Sequence, residues 1–511
     1  MALASAAVTA VPLLSVPAEA ATVTLKVTGV TRKGKKASFT ASVQNTKTGS
    51  EFRLRSGVSK KVAKGTYTVL AEIPSLGADG YTNSTLGAQV VSLSRSRTVA
   101  FDARKGRALT VGLDVDKAKY SQWGQRAAVC TFGAGNRMEL EATNSAGGLF
   151  VIPNGSGKLA FSYLSEWHPQ VSTVGAPETY ALTGYSKGIP AKPSYSFRRA
   201  SLAKTTLYVR RGPALSRDTD VRLAPAPARG KCGLWGVTDR ISAPFTYTAH
   251  VTPGRWQSET YSMYGPNSIG VGGWSSPVRS YAKGKSYAEV FNRAVWGPAR
   301  WLPKVSGRAL SYYPDDLFAD PGKSGSECCA KAAVTFRKGS RTIKSKVITQ
   351  WGGTRDFSAK IPSAGWYTLS VDARRYHPQV STPAGILSPR ATISWKFYAK
   401  PAGSARIPVA LTRYIASGLD SANQAAPGST TGLSMWLNAV KGAPKVRTAT
   451  VQASFDDGRT WRRVSVRKRG SGWAVSVPNA SAKGYVTLRS TIVDVKGNRS
   501  VQTIYRAYGI R

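Results

Sequence analysis

Apolar and polar residues alternate with a period of two in short runs along this chain, and turn residues close nearly every run. Val23, Leu25 and Val27 begin the pattern. Arg32-Lys33-Gly34-Lys35-Lys36 then reads as the tip of a hairpin before Phe39, Ala41 and Val43 resume it. A period of two puts successive side chains on opposite faces of an extended strand, whereas a helix needs a repeat near 3.6. No stretch sustains the helical repeat. The expectation is an all-β chain built as tandem β-sandwiches. Its 511 residues, 41% of them hydrophobic, suffice for roughly three to five separate cores.

Residues 2–16 are apolar and alanine-rich, and Ala18-Glu19-Ala20 has the small-x-small pattern of a signal peptidase site. Residues 1–20 are therefore expected to be a secretory signal peptide whose charged start lies upstream of Met1. No other run reaches the about 18 apolar residues of a membrane span. The expected destination is extracellular, with retention at the cell wall. Cys130, Cys232, Cys328 and Cys329 suit an oxidising compartment and allow three disulfide pairings, which the sequence leaves open. Two adjacent thiols and two distant ones lack the C-x₂₋₄-C spacing of zinc ligation, so no metal and no cofactor is expected.

The charge is strongly positive, with 72 Lys and Arg against 26 Asp and Glu, net +46. It is also evenly spread. Residues 22–118 carry 17 basic and 6 acidic side chains, and residues 416–511 carry 15 and 4, so each stretch is +11. A dedicated nucleic-acid reader concentrates its charge on one face. Even spreading points instead to anionic cell-wall polymers or acidic glycans as partners, with no specific nucleic acid. A solvated surface tuned for solubility would carry the same composition.

Five folded segments are expected. A sandwich over 21–118 contains the glycine-then-tyrosine strand entry Lys64-Gly65-Thr66-Tyr67-Thr68-Val69. A β-domain over 119–200 carries Trp167-His168-Pro169-Gln170-Val171-Ser172-Thr173, which recurs as Tyr376-His377-Pro378-Gln379-Val380-Ser381-Thr382 in a sandwich over 331–415. One duplicated turn explains the repeat, the proline fixing the corner and the aromatic and valine packing inward. An aromatic-rich segment over 201–330 lies between, and a last sandwich spans 416–511. In the aromatic segment, Trp256, Tyr264, Trp274, Trp296 and Trp301 are candidates for stacking on sugar rings; the competing reading is a filled core. Asp315, Asp316 and Asp320 offer oxygens for a calcium ion but lack the ordered alternation of a calcium loop.

The C-terminal stretch is the most specific. Phe455-Asp456-Asp457-Gly458-Arg459-Thr460-Trp461 is a strand running into a turn, and Lys496-Gly497-Asn498 is another turn before the closing Ile504-Tyr505-Arg506-Ala507-Tyr508-Gly509-Ile510. The whole reads as an Ig-like sandwich. It resembles the extreme C-terminus of large secreted bacterial subtilisin-like serine peptidases, where it belongs to the non-catalytic tail. Residues 22–116, with Phe101-Asp102-Ala103-Arg104-Lys105, resemble the prealbumin-like, carboxypeptidase-regulatory-like module of the same proteins. Phe291-Asn292-Arg293-Ala294-Val295-Trp296-Gly297-Pro298 and Gly418-Leu419-Asp420-Ser421-Ala422-Asn423 are similar to the tail as well.

The resemblance does not extend to an active site. Such a peptidase needs His in a His-Gly-Thr context and Ser in a Gly-Thr-Ser-Met context. Neither His168, His250 nor His377 is followed by Gly-Thr, and Thr431-Gly432-Leu433-Ser434-Met435 lacks the required order. No catalytic residue is assigned and the chain is expected not to be an enzyme. The resemblance implies, as an alternative, the accessory tail of a peptidase whose catalytic domain is missing or separate. A third reading is carbohydrate binding through the central aromatics.

Overall fold

The computed structural model describes residues 22–511 apart from 145–146, 171–177, 214–217, 227, 265–268, 327–329, 350–354 and 402–403. The expected signal peptide, Cys328, Cys329 and the end of the first repeat lie outside the described residues. Among the described residues the regular structure is strand, with two three-residue 3₁₀ turns and no α-helix. The all-β expectation holds. The alternating runs fold as strands because each has one face to bury.

The first sandwich places Thr22–Val30, paired antiparallel with Ser59–Ala63 and parallel with Arg97–Asp102, against a larger sheet containing Thr40–Asn45, Gly65–Leu76 and Thr82–Leu93. Leu25, Val27, Ala41, Val43, Val69, Ile73 and Phe101 fill the space between. The short strand Leu149–Val151 joins this larger sheet from far along the chain.

The central sheet runs in the order Asn136–Asn144, Tyr120–Gly133, Leu159–Pro169, Glu178–Lys187, Phe245–Val251, Ala203–Val209, Ser286–Phe291. Both of its faces are covered. Ala127, Val129, Phe161 and Tyr163 face the first sandwich, with Leu70, Leu86 and Ala88 opposite them. Ala128, Cys130, Ala160 and Leu164 face the other way, toward Trp256 and Trp274 of the next sheet. Two-sided burial explains why residues 159–165 are all buried instead of alternating. The disulfide Cys130–Cys232, one of the bonds the sequence left open, closes this region across 102 residues.

The C-terminal half is built on one long sheet. Gly365–Arg375 pairs with Arg390–Ala399, which pairs with Arg499–Ile510, which pairs with Gly484–Asp494. The ladder therefore crosses from 331–415 into 416–511. Two four-stranded sheets accompany it: one contains Lys304–Ser306, Ala309–Tyr312 and Phe357–Lys360, and the other contains Ala410–Ala416, Thr430–Ala439, Ser465–Arg469 and Gly472–Pro478. A single core, with Trp395, Phe336, Tyr414, Val451 and Tyr508, runs through all three.

The expected turns form as the sequence requires. Gly34, Gly458 and Gly497 take φ of +79°, +92° and +84°, the left-handed region that favours glycine. Asp456 accepts the backbone N–H of Thr460 and the hydroxyl of Thr460, which holds the Asp-Asp-Gly turn.

Candidate functional site

The central aromatics are mostly core. Trp256, Trp274 and Trp296 are 1%, 4% and 0% exposed. Trp256 donates its indole N–H to the Thr252 carbonyl at 2.8 Å. The sheet carrying Trp256 and Trp274 covers the central sheet, and both rings turn into that interface. This corrects the expectation that they could stack on sugars, since neither ring has a face left to offer. Trp301 alone is open, at 37%, edge-on to Tyr313. The Tyr264 side chain lies outside the described residues.

The repeat also needs correction. Trp167 is buried and ends the strand Leu159–Pro169, whereas Tyr376 is 38% exposed just past the strand Gly365–Arg375. The two aromatics do not pack alike, because the first lies in a sheet covered on both faces and the second beyond a strand end. Val380 does pack inward.

Two histidines sit in separate polar clusters of the central sheet, since Glu178 and Thr179, consecutive on one strand, point to opposite faces. His250 Nε2 lies 2.6 Å from Glu178 Oε1, Tyr120 donates to the other Glu178 oxygen at 2.8 Å, and Arg199 pairs with the same carboxylate. Burial lowers the His250 pKa below its ordinary value. Burial pushes Glu178 up, but its bonds from Tyr120 and His250 outweigh that and its pKa ends lowered. His168 stands 3.5 Å from Asp239, which also accepts from Thr179 and Tyr247. Thr179, the hydroxyl nearest this histidine, is fully buried within the sheet, so it cannot meet a substrate. Both clusters tie strands together.

Residues 291–298 and 418–423 meet in a buried polar joint. Asn423 accepts the Ala294 N–H and donates to the Asn292 and Arg211 carbonyls. Buried Arg413 donates to the carbonyls of Gly297, Pro298, Ala319 and Asp320. The calcium reading loses its carboxylates here. Asp316 pairs with Arg300 at 2.8 Å, and Asp320 accepts the Asn292 N–H with Lys323, Arg293 and Arg413 nearby. Burial nonetheless pushes Asp320 up to about 7. Among the described residues, one group of three metal-ligating atoms comes together, Cys130, Glu139 and Cys232, and both of its sulfurs are spent in the disulfide.

What remains open is cationic. Many carboxylates are neutralised locally: Asp102 by Arg104, Glu139 by Arg137, Asp220 by Arg240, Glu259 by Arg222, Glu289 by Lys323, Asp372 by Arg390 and Asp457 by Arg506. At one end of the C-terminal sandwich, Trp436 and Trp473 with Lys445, Arg447 and Lys468 line an open cleft of about 750 Å³ that no carboxylate enters. Lys468 Nζ lies 3.9 Å from the Trp473 ring centre. A cleft of about 840 Å³ on the first sandwich is lined by Lys36, Arg97, Arg104 and Lys105, its one acid being the paired Asp102. Such clefts can hold a polyanion through charge and aromatic contact.

The C-terminal cleft was not anticipated. Trp473 and the cations of Arg462-Arg463-Val464-Ser465-Val466-Arg467-Lys468-Arg469 are visible in the sequence. Their meeting with Trp436 depends on the pairing of Thr430–Ala439 with Gly472–Pro478, which places Met435 opposite Trp473.

Among the described residues no helix is long and apolar enough to cross a membrane. No family model and no curated protein matches the chain. Solved structures give distant likenesses. Native Escherichia coli α2-macroglobulin is 8% identical at a TM-score of 0.15, covering 93% of this chain and 38% of that one. The Bacillus anthracis TIE protein is 8% identical at 0.12, with 76% and 74% covered. The human desmocollin-1 ectodomain is 8% identical at 0.13, with 92% of each covered. This chain thus spans less than half of the macroglobulin chain, and likeness at these scores carries no argument about function.

Proposed function

We propose that this chain is an exported, non-catalytic adhesion protein that holds an anionic polymer of the cell envelope or extracellular matrix. The observation that supports it most is the pairing of local carboxylates with neighbouring cations, which leaves acid-free or acid-neutralised cationic clefts on a +46 surface. The disulfide is consistent with an extracellular protein. Charge of this kind attracts at long range and is screened within about 8 Å at physiological salt. The purified chain should therefore be retained on immobilised polyphosphate and polygalacturonate at low ionic strength and released toward 1 M salt, where the screening length falls to about 3 Å. Passage through both matrices at low salt, as through neutral dextran, sinks the proposal.

The peptidase-tail reading stands beside it as a question of context, supported by the resemblance of 22–116 and of the C-terminal stretch. It predicts a catalytic partner, in the same polypeptide or in a separate one, that this chain delivers to the polymer.

A further inference from the structure

Alternation along Gly365–Arg375 sends Tyr367, Leu369, Val371 and Ala373 into the core, so Trp366 and Thr368 must face out. On the neighbouring strand Arg390–Ala399, Trp395 and Phe397 go in while Lys396 and Tyr398 face out. The antiparallel register places Trp366 directly opposite Tyr398, and both rings are open, at 40% and 52%. Their centres lie 5.9 Å apart with the planes at 77°, so they form an aromatic corner, not a flat stack.

Register arranges the neighbours of this corner in rows. The next outward row reads Arg337, Thr368, Lys396, Arg499 across four adjacent strands, three of the four being exposed cations. Neighbouring strands are spaced about 4.8 Å apart, so this row spans roughly 14 Å. It lies two residues, about 7 Å, from the aromatic row. Lys396 Nζ reaches to 5.8 Å from the Trp366 ring centre. One row further, Thr335, Ser370 and Ser394 present hydroxyls. The nearest carboxylate on the face, Asp372, lies beyond them and is held by two Arg390 bonds of 2.7 Å.

We infer that this sheet face is a subsite for an acidic polysaccharide, in which a pyranose ring stacks in the Trp366–Tyr398 corner and its carboxylate pairs with Lys396 and the flanking arginines. The inference rests on the anionic-polymer reading and narrows it to a ligand class. A uronic acid brings an apolar ring face, a ring-borne carboxylate and hydroxyls together, and the three rows present a partner for each in that order. A polyphosphate has charge but no ring face. A single-stranded nucleic acid stacks successive bases on successive aromatic side chains along a groove, and this face offers a single ring pair.

The test compares the full chain with Trp366→Ala/Tyr398→Ala and with Lys396→Gln, each checked for unchanged far-UV circular dichroism. The outward position of all three side chains keeps these changes out of the core. Probes are polygalacturonate, its methyl ester, long-chain polyphosphate and oligo(dT), titrated at 0.15 M salt. The subsite predicts preference for polygalacturonate over its ester. It also predicts about a tenfold loss of polygalacturonate affinity in the aromatic variant, a smaller loss for Lys396→Gln, and polyphosphate binding unchanged by loss of the rings. Unchanged polygalacturonate affinity in the aromatic variant overturns the inference. So does equal binding of the ester, or ring-dependent binding confined to oligo(dT), which would assign the face to nucleic acid. Low-salt retention on polyanions that ignores the rings removes the subsite alone, whereas loss of all low-salt retention in the wild type removes the adhesion reading beneath it.

Discussion

Trp256 and Trp366 are the same residue on strands of equal length, yet one is 1% exposed and the other 40%. The difference lies in what accompanies each along its own face. Trp366 is out of phase with Tyr367, Leu369 and Val371, which claim the core. Trp256 is in phase with Ser258 and Thr260, small hydroxyl residues that are themselves buried. That face can be covered closely by the central sheet, and the tryptophan fills most of the interface. Density of aromatics in sequence is thus a poor guide to a binding surface, and parity against neighbouring apolar residues is a better one.

The sharpest way to break this comparison is truncation. Trp256→Ala should cost about 3–5 kcal/mol, because it removes a fully buried ring from a two-sided interface. Trp366→Ala should stay within about 0.5 kcal/mol, as for outward surface changes. Urea unfolding followed by circular dichroism reads both. Comparable costs would mean that the Trp366 ring supports the fold.

The disulfide extends the comparison to whole regions. Cys130→Ala/Cys232→Ala should destabilise the central region by about 2–5 kcal/mol, since it frees a closed loop of 102 residues. The C-terminal sheets, which this bond does not touch, should keep their melting transition. Calorimetry with and without the double change separates the two; a parallel drop in both transitions would show that the halves unfold as one unit.

Strand pattern was the legible part of this fold. The Asp-Asp-Gly and Lys-Gly-Asn turns, the outward parity of Trp366 and Tyr398, and the all-β class all follow from local rules that the sequence states directly. The burial of Trp256, Trp274 and Trp296 does not, because it depends on which sheet lies over which. Nor does the cleft, where Trp436 and Lys445 meet Trp473 and Lys468 through long-range pairing. The joint at Asn292, Asn423 and Arg413 shows the same limit. Asn292 and Asn423 lie in segments that the sequence marks out, Arg413 does not, and only their convergence reveals that they bond to buried backbone.

Acidity should separate the central network from the joint, with opposite signs. His250 and Glu178 both have lowered pKa values in the folded chain, so their stabilisation is complete above the ordinary histidine value and is lost as pH falls through the folded values. Asp320 is raised from 3.8 to about 7, so its contribution is complete below 3.8 and is lost as pH rises toward 7. Asp320→Asn should therefore raise the melting temperature at pH 8 and have little effect near pH 4. His250→Gln should flatten the decline of the wild type between pH 7 and pH 5. Matching pH profiles for the two variants would refute the assignment of the two signs to the two sites.

Trp301 supplies the smallest effect and the strictest control. It is as open as Trp366, at 37% against 40%, and Arg300 lies 5.8 Å from its ring centre. Its neighbouring ring, Tyr313, stands edge-on at 69°, much as Tyr398 does to Trp366, but the Arg300 guanidinium already pairs with Asp316. Trp301 also stands outside a strand ladder, before the strand Lys304–Ser306, whereas Trp366 lies within one, a single row from Arg337, Lys396 and Arg499. If exposure alone made a sugar site, Trp301→Ala would weaken polygalacturonate binding as much as loss of the Trp366–Tyr398 corner. If the arrangement of charge beside the ring decides, Trp301→Ala should leave that affinity within twofold of wild type. Its stability should change by no more than about 0.5 kcal/mol, the range of surface substitutions.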